Sequence, residues 1–358
     1  MKTFLPNKKL RVALTYNLKP SENSSFFSNN YPQFAGDFDR GEDYYAEWDE
    51  WETINAVKNA LEKFHEVILI EADINAYKKF LEEKPDIVFN IAEGSVGLSR
   101  EAQIPSILDF LNIPYTASDP LTLSICLNKA RTKEILSYYK IPTARFSLVY
   151  STKELIESNL EFPIIIKPIA EGSSKGVFDS SLIYSATQVN GFIDKYINEY
   201  RQPLIAEEFL PGREFTVALM GNGNELEVLP IVEINFAALP KDINPIYSYE
   251  AKWIFDSPEH QLDMYLCPPD IDSDLESRIK KTCVDTFNAL NCKDWSRIDI
   301  RLDKNNIPNV IEVNPLPGIL PDPKNNSCYP KSARVAGLNY DDMINNVLHF
   351  ALKRYGMS

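Results

Sequence analysis

The sequence predicts an α/β protein whose first third forms a parallel sheet with crossover helices and whose remainder is of the α+β type. Strand and helix patterns alternate over the first 116 residues, which is typical of a parallel sheet. Strand patterns dominate from about residue 204 onward. The chain has 358 residues, and at about 100–200 residues per domain this length predicts two or three domains.

The first third opens with a short apolar strand pattern at 11–16, followed over 19–43 by a polar, aromatic-rich stretch that predicts a long loop. Ile54, Val57 and Leu61 recur at helical spacing within 47–64. The other predicted elements are strands at 67–70, 86–90 and 113–116 and a helix over 103–111. Because ligands of parallel sheets lie at the carboxyl ends of the strands, residues 90–100 are a candidate binding region.

The remaining sequence divides into a mixed middle section and a last section richer in strands. In the middle section we predict helices over 121–139 and 185–200 and strands at 146–150 and 163–168. In the last section we predict strands at 204–210, 214–220, 226–234, 297–302 and 310–313, with helices over 275–290 and 340–355.

The charge balance excludes several classes of partner. The chain carries 37 Lys and Arg against 51 Asp and Glu, a formal net charge of −14. Nucleic-acid binders that neutralise phosphates need a basic face, and anionic membranes attract basic segments, so neither partner is expected. A small anionic ligand remains compatible, because a pocket can be locally basic on an acidic protein.

Cysteines and histidines are too few and too scattered for a structural metal site. The five cysteines lack CxxC spacing and the chain has only three histidines, so we expect neither a disulfide framework nor a zinc site. The first residues lack an apolar signal region, and no apolar run approaches about 18 residues. A cytoplasmic location is the expectation.

Two strand patterns near the end of the chain carry a candidate metal site. Glu312 and Asn314 are two residues apart, so on one strand they share a face, and Asp299 on a neighbouring strand can join them. Two carboxylates and an amide oxygen suit Mg²⁺. The alternative is an edge strand whose polar side chains simply face solvent.

Two other segments could bind a nucleotide. Lys167 precedes a glycine-flanked serine loop at 172–176, whose backbone N–H groups and hydroxyls suit a phosphate, although the loop lacks the Walker A order. The strand–turn–strand pattern over 206–215 places carboxylates where they could accept hydrogen bonds from a nucleoside. The alternative for the serine loop is a plain turn, and the alternative for 206–215 is a hairpin whose charges are solvated.

Taken in order, these segments resemble the D-alanine–D-alanine ligase family of the ATP-grasp superfamily. The resemblance covers most of the chain from about residue 86 and rests on eight motifs. They lie at 114–118, 128–130, 166–168 with 171–174, 207–209, 212–217, 249–252, 297–299 and 312–318. It implies an ATP-grasp fold with a Rossmann-like parallel-sheet domain (1–118) and two α+β subdomains (119–203 and 204–358) that enclose ATP.

The resemblance also implies a role for each matched residue. ATP would be bound by Lys129 and Lys167 at the phosphates, Glu207, Phe209 and Leu210 at the adenine, and Glu214 at the ribose. Two Mg²⁺ ions, with Mn²⁺ as an alternative, would be held by Asp299, Glu312 and Asn314. Arg297, Ser173 and Lys252 would be catalytic, and Tyr249 and Ser327 would lie at the amino-acid substrates.

The implied reaction activates a carboxylate with ATP. Transfer of the γ-phosphoryl group gives an acyl phosphate, and an amine then displaces phosphate, while cations offset the charge on the phosphoryl oxygens. No covalent enzyme intermediate is needed. The acyl phosphate hydrolyses readily, so the serine loop and the 247–253 segment are expected to close over the site.

The sequence departs from the family at the substrate end. The His-Glu-Val-Ser-like motif is missing after Tyr16, a Gly-Glu-Asp-Gly segment is replaced by 99–102 with Arg100 in it, and Trp253 replaces a tyrosine. We therefore predict that Arg100 binds an acidic group on the acyl donor and that the acidic segment 37–49 supplies the lost ammonium contact. The alternative pairs Arg100 with Glu101 or Glu93 on the surface.

Three functions are compatible with these observations. The first is an ATP-dependent ligase that joins two amino acids or similar small molecules. The second is authentic D-alanine–D-alanine ligation, and the third is nucleotide binding without catalysis. The complete set of Arg297, Asp299, Glu312 and Asn314 disfavours the third. The resemblance also makes a homodimer an expectation.

Overall fold

The computed structural model describes residues 8–20, 45–189, 191–255 and 262–357. Most of the predicted loop over 19–43 lies outside these residues. The helices are α1 (Trp51–Glu62), α2 (Ala76–Glu83), α3 (Gln103–Leu111), α4 (Pro120–Leu127), α5 (Lys129–Tyr138), α6 (Thr152–Glu157), α7 (Phe192–Tyr200), α8 (Ser273–Ala289), α9 (Cys328–Val335) and α10 (Tyr340–Arg354). None of these described helices has the length and apolarity that crossing a lipid bilayer requires.

The strands form three separate sheets. They are β1 (Arg11–Tyr16), β2 (Glu66–Glu71), β3 (Ile87–Asn90), β4 (Phe146–Val149), β5 (Ile164–Pro168), β6 (Leu182–Ile183), β7 (Leu204–Glu208), β8 (Glu214–Met220), β9 (Glu227–Val228), β10 (Val232–Ile234), β11 (Tyr265–Leu266), β12 (Trp295–Leu302) and β13 (Pro308–Asn314). Shorter helical turns include Arg100–Ala102 and a π-helix at Glu250–Phe255.

The first sheet is parallel, as predicted, with the order β2-β1-β3. Helix α1 packs on it through Ile54, Val57 and Leu61, the three apolar positions whose helical spacing predicted it. The predicted strand at 113–116 is reduced to one bridge between Tyr115 and Val88. The carboxyl end of β3 leads directly into the segment that carries Glu93 and Arg100.

The middle sheet is antiparallel and has the order β4-β7-β5-β6. It has its own apolar core, in which Ile164, Ile166, Leu204 and Ala206 pack with side chains of α7. Strand β7 lies between β4 and β5 in the middle sheet. The predicted subdomain boundary between residues 203 and 204 therefore assigns β7 to the last section, although it pairs within the middle sheet. The strands of the last sheet begin only at β8.

The last sheet is antiparallel, with the order β11-β10-β8-β12-β13 and β9 paired to β8. Strand β12 lies in its middle and is hydrogen-bonded to β8 on one side and to β13 on the other. The backbone that carries Arg297 and Asp299 is therefore fixed from both sides.

Three predicted elements are interrupted in the structure. In each, the side chain or the backbone conformation of one residue accounts for the break. The helix over 121–139 divides at Asn128, which is extended and whose side chain caps α5 by accepting from the Arg131 N–H at 3.1 Å. The strand over 226–234 divides near Pro230, which has no N–H to donate. The helix over 185–200 is broken at Gly191, whose φ is +77°.

The end of the chain completes the core of the first sheet. Val347, Leu348 and Leu352 of α10 belong to the same buried apolar cluster as Val12 and Leu14 of β1. The first sheet and the last part of the chain thus share one core.

Candidate active site

Two adjoining cavities lie where the three sheets meet. The first, of about 120 Å³, is bounded by the middle and last sheets, and the second, of about 350 Å³, extends toward the first sheet. Residues that line both cavities mark the place where they meet. They are Lys129, Glu171, Ser173, Glu214, Tyr247, Lys252, Arg297, Asp299 and Glu312.

The predicted metal-binding residues come together on β12 and β13. Asp299 is directly opposite Glu312, and the Asn314 Nδ2 is 3.4 Å from Asp299 Oδ2. Arg297 donates from Nε and Nη2 to the two oxygens of Asp299 at 3.0 and 2.9 Å, because residues two apart on a strand share a face. Asp299, Glu312 and Asn314 all line the second cavity.

Glu312 is ionised under ordinary conditions. Burial alone would raise its pKa, but Lys129, whose Nζ is 2.7 Å from Glu312 Oε1, lowers the pKa to about 2. Among the described residues no group of three or more His, Cys, Asp or Glu side chains forms a metal cluster. Two carboxylates with one amide oxygen nevertheless fit Mg²⁺, which takes few protein ligands and keeps phosphate oxygens and water as the others.

Glu207 lines the first cavity and holds two buried lysines. Its Oε1 is 2.8 Å from the Nζ of Lys167, and its Oε2 is 3.1 Å from the Nζ of Lys133. Burial would raise the pKa of Glu207, but the two lysines outweigh it and lower the pKa. The sequence prediction missed Lys133, although it lies four residues after Lys129 on the same helix and therefore on the same face.

Arg301 is a second residue that the sequence prediction missed. Its Nη1 donates to Glu214 Oε2 at 2.7 Å, and its Nε donates to the Leu210 carbonyl at 2.7 Å. The guanidinium lies 4.5 Å from the ring centre of Phe209. Arg301 thus contacts Glu214, Leu210 and Phe209 with one side chain. Residues 297, 299 and 301 alternate along β12 and share a face, so the sequence could have indicated that Arg301 lies at the site.

The serine loop and the 247–253 segment contact each other over the cavities. Ser174 Oγ donates to the Tyr247 carbonyl at 2.9 Å, and Trp253 Nε1 donates to the Ser173 carbonyl at 3.3 Å. Ser173 and Lys252 line both cavities, close to Arg297. Ser174 and Tyr247 both line the first cavity, so this contact forms part of its wall.

Tyr249 lies outside both cavities. Its ring packs 5.8 Å from the ring of Phe178, and it is absent from the described residues that line either cavity, so its role at the substrates stays a prediction. Tyr247, two residues earlier, lines both cavities. The segment continues as a π-helical turn at Glu250–Phe255, which sequence spacing alone does not reveal.

Arg100 lies in a buried group of ion pairs, so the alternative that paired it at the surface is wrong, while its contact with an acyl donor stays a prediction. Its guanidinium is buried and lies 2.5 and 2.7 Å from the Glu47 carboxylate oxygens and 3.2 Å from Glu171, while Nη1 donates to the Ala170 carbonyl. It is neither a surface partner of Glu93 or Glu101 nor among the described cavity-lining residues. Glu47 accepts the Gly172 N–H at 2.6 Å as well, so the pair links the N-terminal segment to the serine loop.

Ser327 lies at the far side of the second cavity, immediately before α9. Its Oγ donates to the Gly318 carbonyl at 3.2 Å. The serine therefore lines the same cavity as Arg297 and Asn314, and its contact with the acceptor stays a prediction.

Three further acidic residues, Asp49, Glu93 and Glu101, line the second cavity and are half-buried, and Arg100 lies near enough to Glu93 and Glu101 to oppose the rise in their pKa. Burial raises the pKa of Asp49 to about 7. Burial, together with neighbouring carboxylates, raises the pKa of Glu93 well above its usual range and that of Glu101 to about 8. Sequence analysis did not assign a role to any of these three side chains.

Replacing Asp49 by asparagine is expected to stabilise the fold increasingly as the pH rises from about 4 to about 7. The folded state binds this proton more tightly than the unfolded chain, since burial raises the pKa from 3.8 to about 7. Stability of the natural protein therefore falls as the pH rises through this window, and a neutral amide removes that loss. Thermal unfolding of both proteins across the window measures the effect, and a difference that is independent of pH would contradict it.

Known proteins are similar to this chain in both sequence and fold. The family model described as D-ala D-ala ligase C-terminus matches residues 134–349. An uncharacterized protein of Sinorhizobium fredii is 32% identical over 86% of this chain and 90% of its own length. A D-alanine–D-alanine ligase of Pelotomaculum thermopropionicum is 30% identical over 85% of this chain and 92% of its own length.

The structural comparison covers nearly the whole chain. The crystal structure of the D-alanine–D-alanine ligase of Bacillus anthracis matches with a TM-score of 0.70 at 22% identity, over 97% of this chain and 99% of that chain. That of the VanG D-Ala:D-Ser ligase of Enterococcus faecalis matches with a TM-score of 0.67 at 20% identity, over 96% and 100%. The chain therefore belongs to the D-alanine–D-alanine ligase family of ATP-dependent ligases, and it has the ATP-grasp fold that its motifs predicted.

Proposed function

We propose that this protein joins two amino acids or similar small molecules, activating the carboxylate of one as an acyl phosphate at the expense of ATP. The observation that carries the proposal is the meeting of the two cavities at Lys129, Arg297, Asp299 and Glu312. Phosphoryl transfer requires cations and metal-binding oxygens at the point where nucleotide and acceptor meet. The second cavity then holds the amino acids.

In this proposal, the first cavity binds the nucleotide. Lys167 and Lys129 are held by Glu207 and Glu312 at 2.8 and 2.7 Å, so their ammonium groups are already oriented before phosphates arrive. Asp299, Glu312 and Asn314 would hold Mg²⁺, which when bound offsets charge on the phosphoryl oxygens. Glu214, fixed by Arg301, lies where a ribose hydroxyl can donate to it.

The second cavity would serve the two chemical steps, which are formation of the acyl phosphate and its attack by the amine. Arg297 lies beside the reacting carboxylate and offsets the negative charge that develops when the amine attacks the acyl phosphate. Lys252 lies nearby, and its pKa is lowered to about 8 by burial and by Arg297. The serine loop and Trp253 keep water from the acyl phosphate while they are closed.

D-alanine–D-alanine ligation itself is the second candidate, because curated relatives carry that name. The acyl-donor end differs from the expectation for that reaction, since Arg100 replaces a family carboxylate and is occupied by Glu47 and Glu171. We therefore place the change of substrate at this end and keep the nucleotide chemistry common to both candidates.

A donor and acceptor screen tests the proposed function. Purified full-length protein is incubated with ATP, Mg²⁺ and amino acids of both chiralities, singly and in pairs, while released phosphate is measured and products are identified by mass spectrometry. We expect phosphate release to require an amino acid and to yield a product linked by a new amide. ATP binding without release in any mixture would contradict the proposal, and release with D-alanine alone would favour the second candidate.

A further inference from the structure

Arg301 is a buried cation at the end of the site that the proposed function gives to the nucleotide. It lies on β12, four residues after Arg297, and is 5% exposed. It lines the first cavity but is not among the described residues that line the second, whereas Arg297 lines both. The effect of Arg301 is therefore expected at the nucleotide and not at the amino acids.

Each nitrogen of the Arg301 guanidinium donates to a different part of the chain. Nη1 donates to Glu214 Oε2 at 2.7 Å, Nε to the Leu210 carbonyl at 2.7 Å, and Nη2 to the Pro245 carbonyl at 2.8 Å. Glu214 and Leu210 line the first cavity. One planar side chain therefore fixes two walls of this cavity relative to each other, which the single ammonium of a lysine could not do.

Two aromatic rings pack against the same guanidinium. The ring centres of Phe209 and Phe236 lie 4.5 and 5.1 Å from its carbon atom. Three protein acceptors and two rings hold the cation in one orientation. Arg301 is therefore placed to position its neighbours and not to bind a ligand itself.

Glu214 is the neighbour through which Arg301 can act on a nucleotide. Its carboxylate is buried and lines both cavities, and Arg301 is its ion-pair partner in the part of the chain that the structure describes. The two residues are directly opposite each other on β8 and β12, so the sheet fixes the backbone of both. A buried carboxylate that loses its cation reorients toward water, because the uncompensated charge is costly. Arg301 thus keeps the Glu214 oxygens in one place.

We propose that Arg301 is a positioning residue that makes the first cavity selective for a nucleotide with an intact ribose, by holding the Glu214 carboxylate as the acceptor of a ribose hydroxyl. The inference rests on the proposed binding of ATP in this cavity and adds the residue on which recognition of its sugar depends. A hydrogen bond to a charged acceptor favours binding most when the acceptor is already oriented. A nucleotide without the hydroxyl leaves that acceptor buried and unsatisfied, so it binds less tightly.

Deoxynucleotides test this selectivity. The affinities of the full-length protein for ATP, 2′-deoxy-ATP and 3′-deoxy-ATP are measured by calorimetric titration in the presence of Mg²⁺. We expect at least one deoxynucleotide to bind the natural protein about tenfold or more weakly than ATP, as the loss of one hydrogen bond to a charged group predicts. In Arg301→Met, both deoxynucleotides should bind within about threefold of ATP. Equal binding of all three nucleotides by the natural protein, or undiminished discrimination in the variant, would overturn the proposal.

A matched control separates positioning from a general loss of packing. Arg354 of α10 also pairs with a buried carboxylate, that of Asp294, donates to two carbonyls and lies 4.5 Å from a ring centre, that of Tyr355. It is not among the described residues that line either cavity. Arg354→Met should therefore leave the ratio of the ATP and deoxynucleotide affinities unchanged. A purely structural role for Arg301 would likewise leave this ratio unchanged.

Two further variants keep the test decisive. Arg301→Lys retains the charge but cannot reach three acceptors in one plane, so its discrimination should lie between those of the natural protein and of Arg301→Met. If Arg301→Met does not fold, undiminished discrimination in Arg301→Lys would overturn the proposal. Glu214→Leu removes the acceptor itself and should lose the same discrimination. Discrimination that persists in Glu214→Leu would show that another group binds the ribose hydroxyl, which also overturns the proposal.

Because the titrations need no amino acid, their outcome is independent of the proposed ligation. If no amino acid supports phosphate release but Arg301→Met loses the discrimination between ATP and a deoxynucleotide, the positioning role stands and the proposed ligation fails. If amino acids are ligated while Arg301→Met discriminates as the natural protein does, the ligation stands and the positioning role fails.

Discussion

Replacing Arg297 by methionine is expected to lower kcat about 10²–10³-fold while changing the affinity for ATP only a few-fold. Arg297 lies on the central strand β12, donates to both oxygens of Asp299 and lines both cavities. Its charge is therefore held at the place where nucleotide and amino acid meet. Because that charge matters most when negative charge develops during transfer, its loss should affect the rate more than binding.

The lysine variant sharpens this prediction. Arg297→Lys keeps the positive charge but loses the planar fork that holds Asp299, so we expect a smaller loss than for methionine. Arg278→Met, on the exposed face of α8, removes an arginine that pairs only with surface groups and serves as the control. Steady-state phosphate release and calorimetric titration with ATP measure the two effects. If Arg297→Met keeps kcat within about threefold, the assignment of Arg297 to the transfer steps is wrong.

Replacing Arg100 by methionine is expected to lower the free energy of unfolding by about 3–5 kcal/mol. The arginine is the common partner of Glu47 and Glu171, and all three side chains are buried. Removal of the cation leaves Glu47 without its ion-pair partner among the described residues. The serine loop should also loosen, because Glu47 accepts the Gly172 N–H.

A double variant distinguishes a broken pair from a general loss of packing. Arg100→Met combined with Glu47→Gln removes both charges, so the combined loss should be smaller than the sum of the single losses. Arg131→Met breaks an exposed pair with Glu134 and should cost at most about 1 kcal/mol. Denaturant unfolding of the four proteins measures these differences. Strictly additive losses for Arg100 and Glu47 would show that the pair does not act as a unit.

Periodicity and motif order predicted the parallel first sheet and the paired strands that carry Arg297, Asp299, Glu312 and Asn314. The strand β8 and the helix α3 match their predicted bounds. Asp299, Glu312 and Asn314 meet because two adjacent antiparallel strands carry them, which their spacing and alternation indicated. Their roles in metal binding, like those of Lys129 and Lys167 in ATP binding, stay predictions.

The substrate end was predicted less well because its partners are distant in the sequence. Arg100 and Glu47 are 53 residues apart, and nothing local indicates that they share a buried pair. Tyr247, and not Tyr249, lines the cavities among the described residues, and the segment continues as a π-helical turn that the sequence pattern did not predict. Glu93 and Glu101 resemble ordinary surface glutamates in the sequence, and only the structure shows that they line a cavity.

The shared core of β1 and α10 has a consequence for how this chain can be assembled during its synthesis. The middle sheet contains its own core, built from residues between 149 and 206, so it can condense as soon as that stretch has left the ribosome. The first sheet cannot complete its core at that point, because Val347, Leu348 and Leu352 cover it and are translated much later. The order of emergence along the chain is thus not the order of folding, and a nascent chain exposes its first strands until α10 has been synthesised.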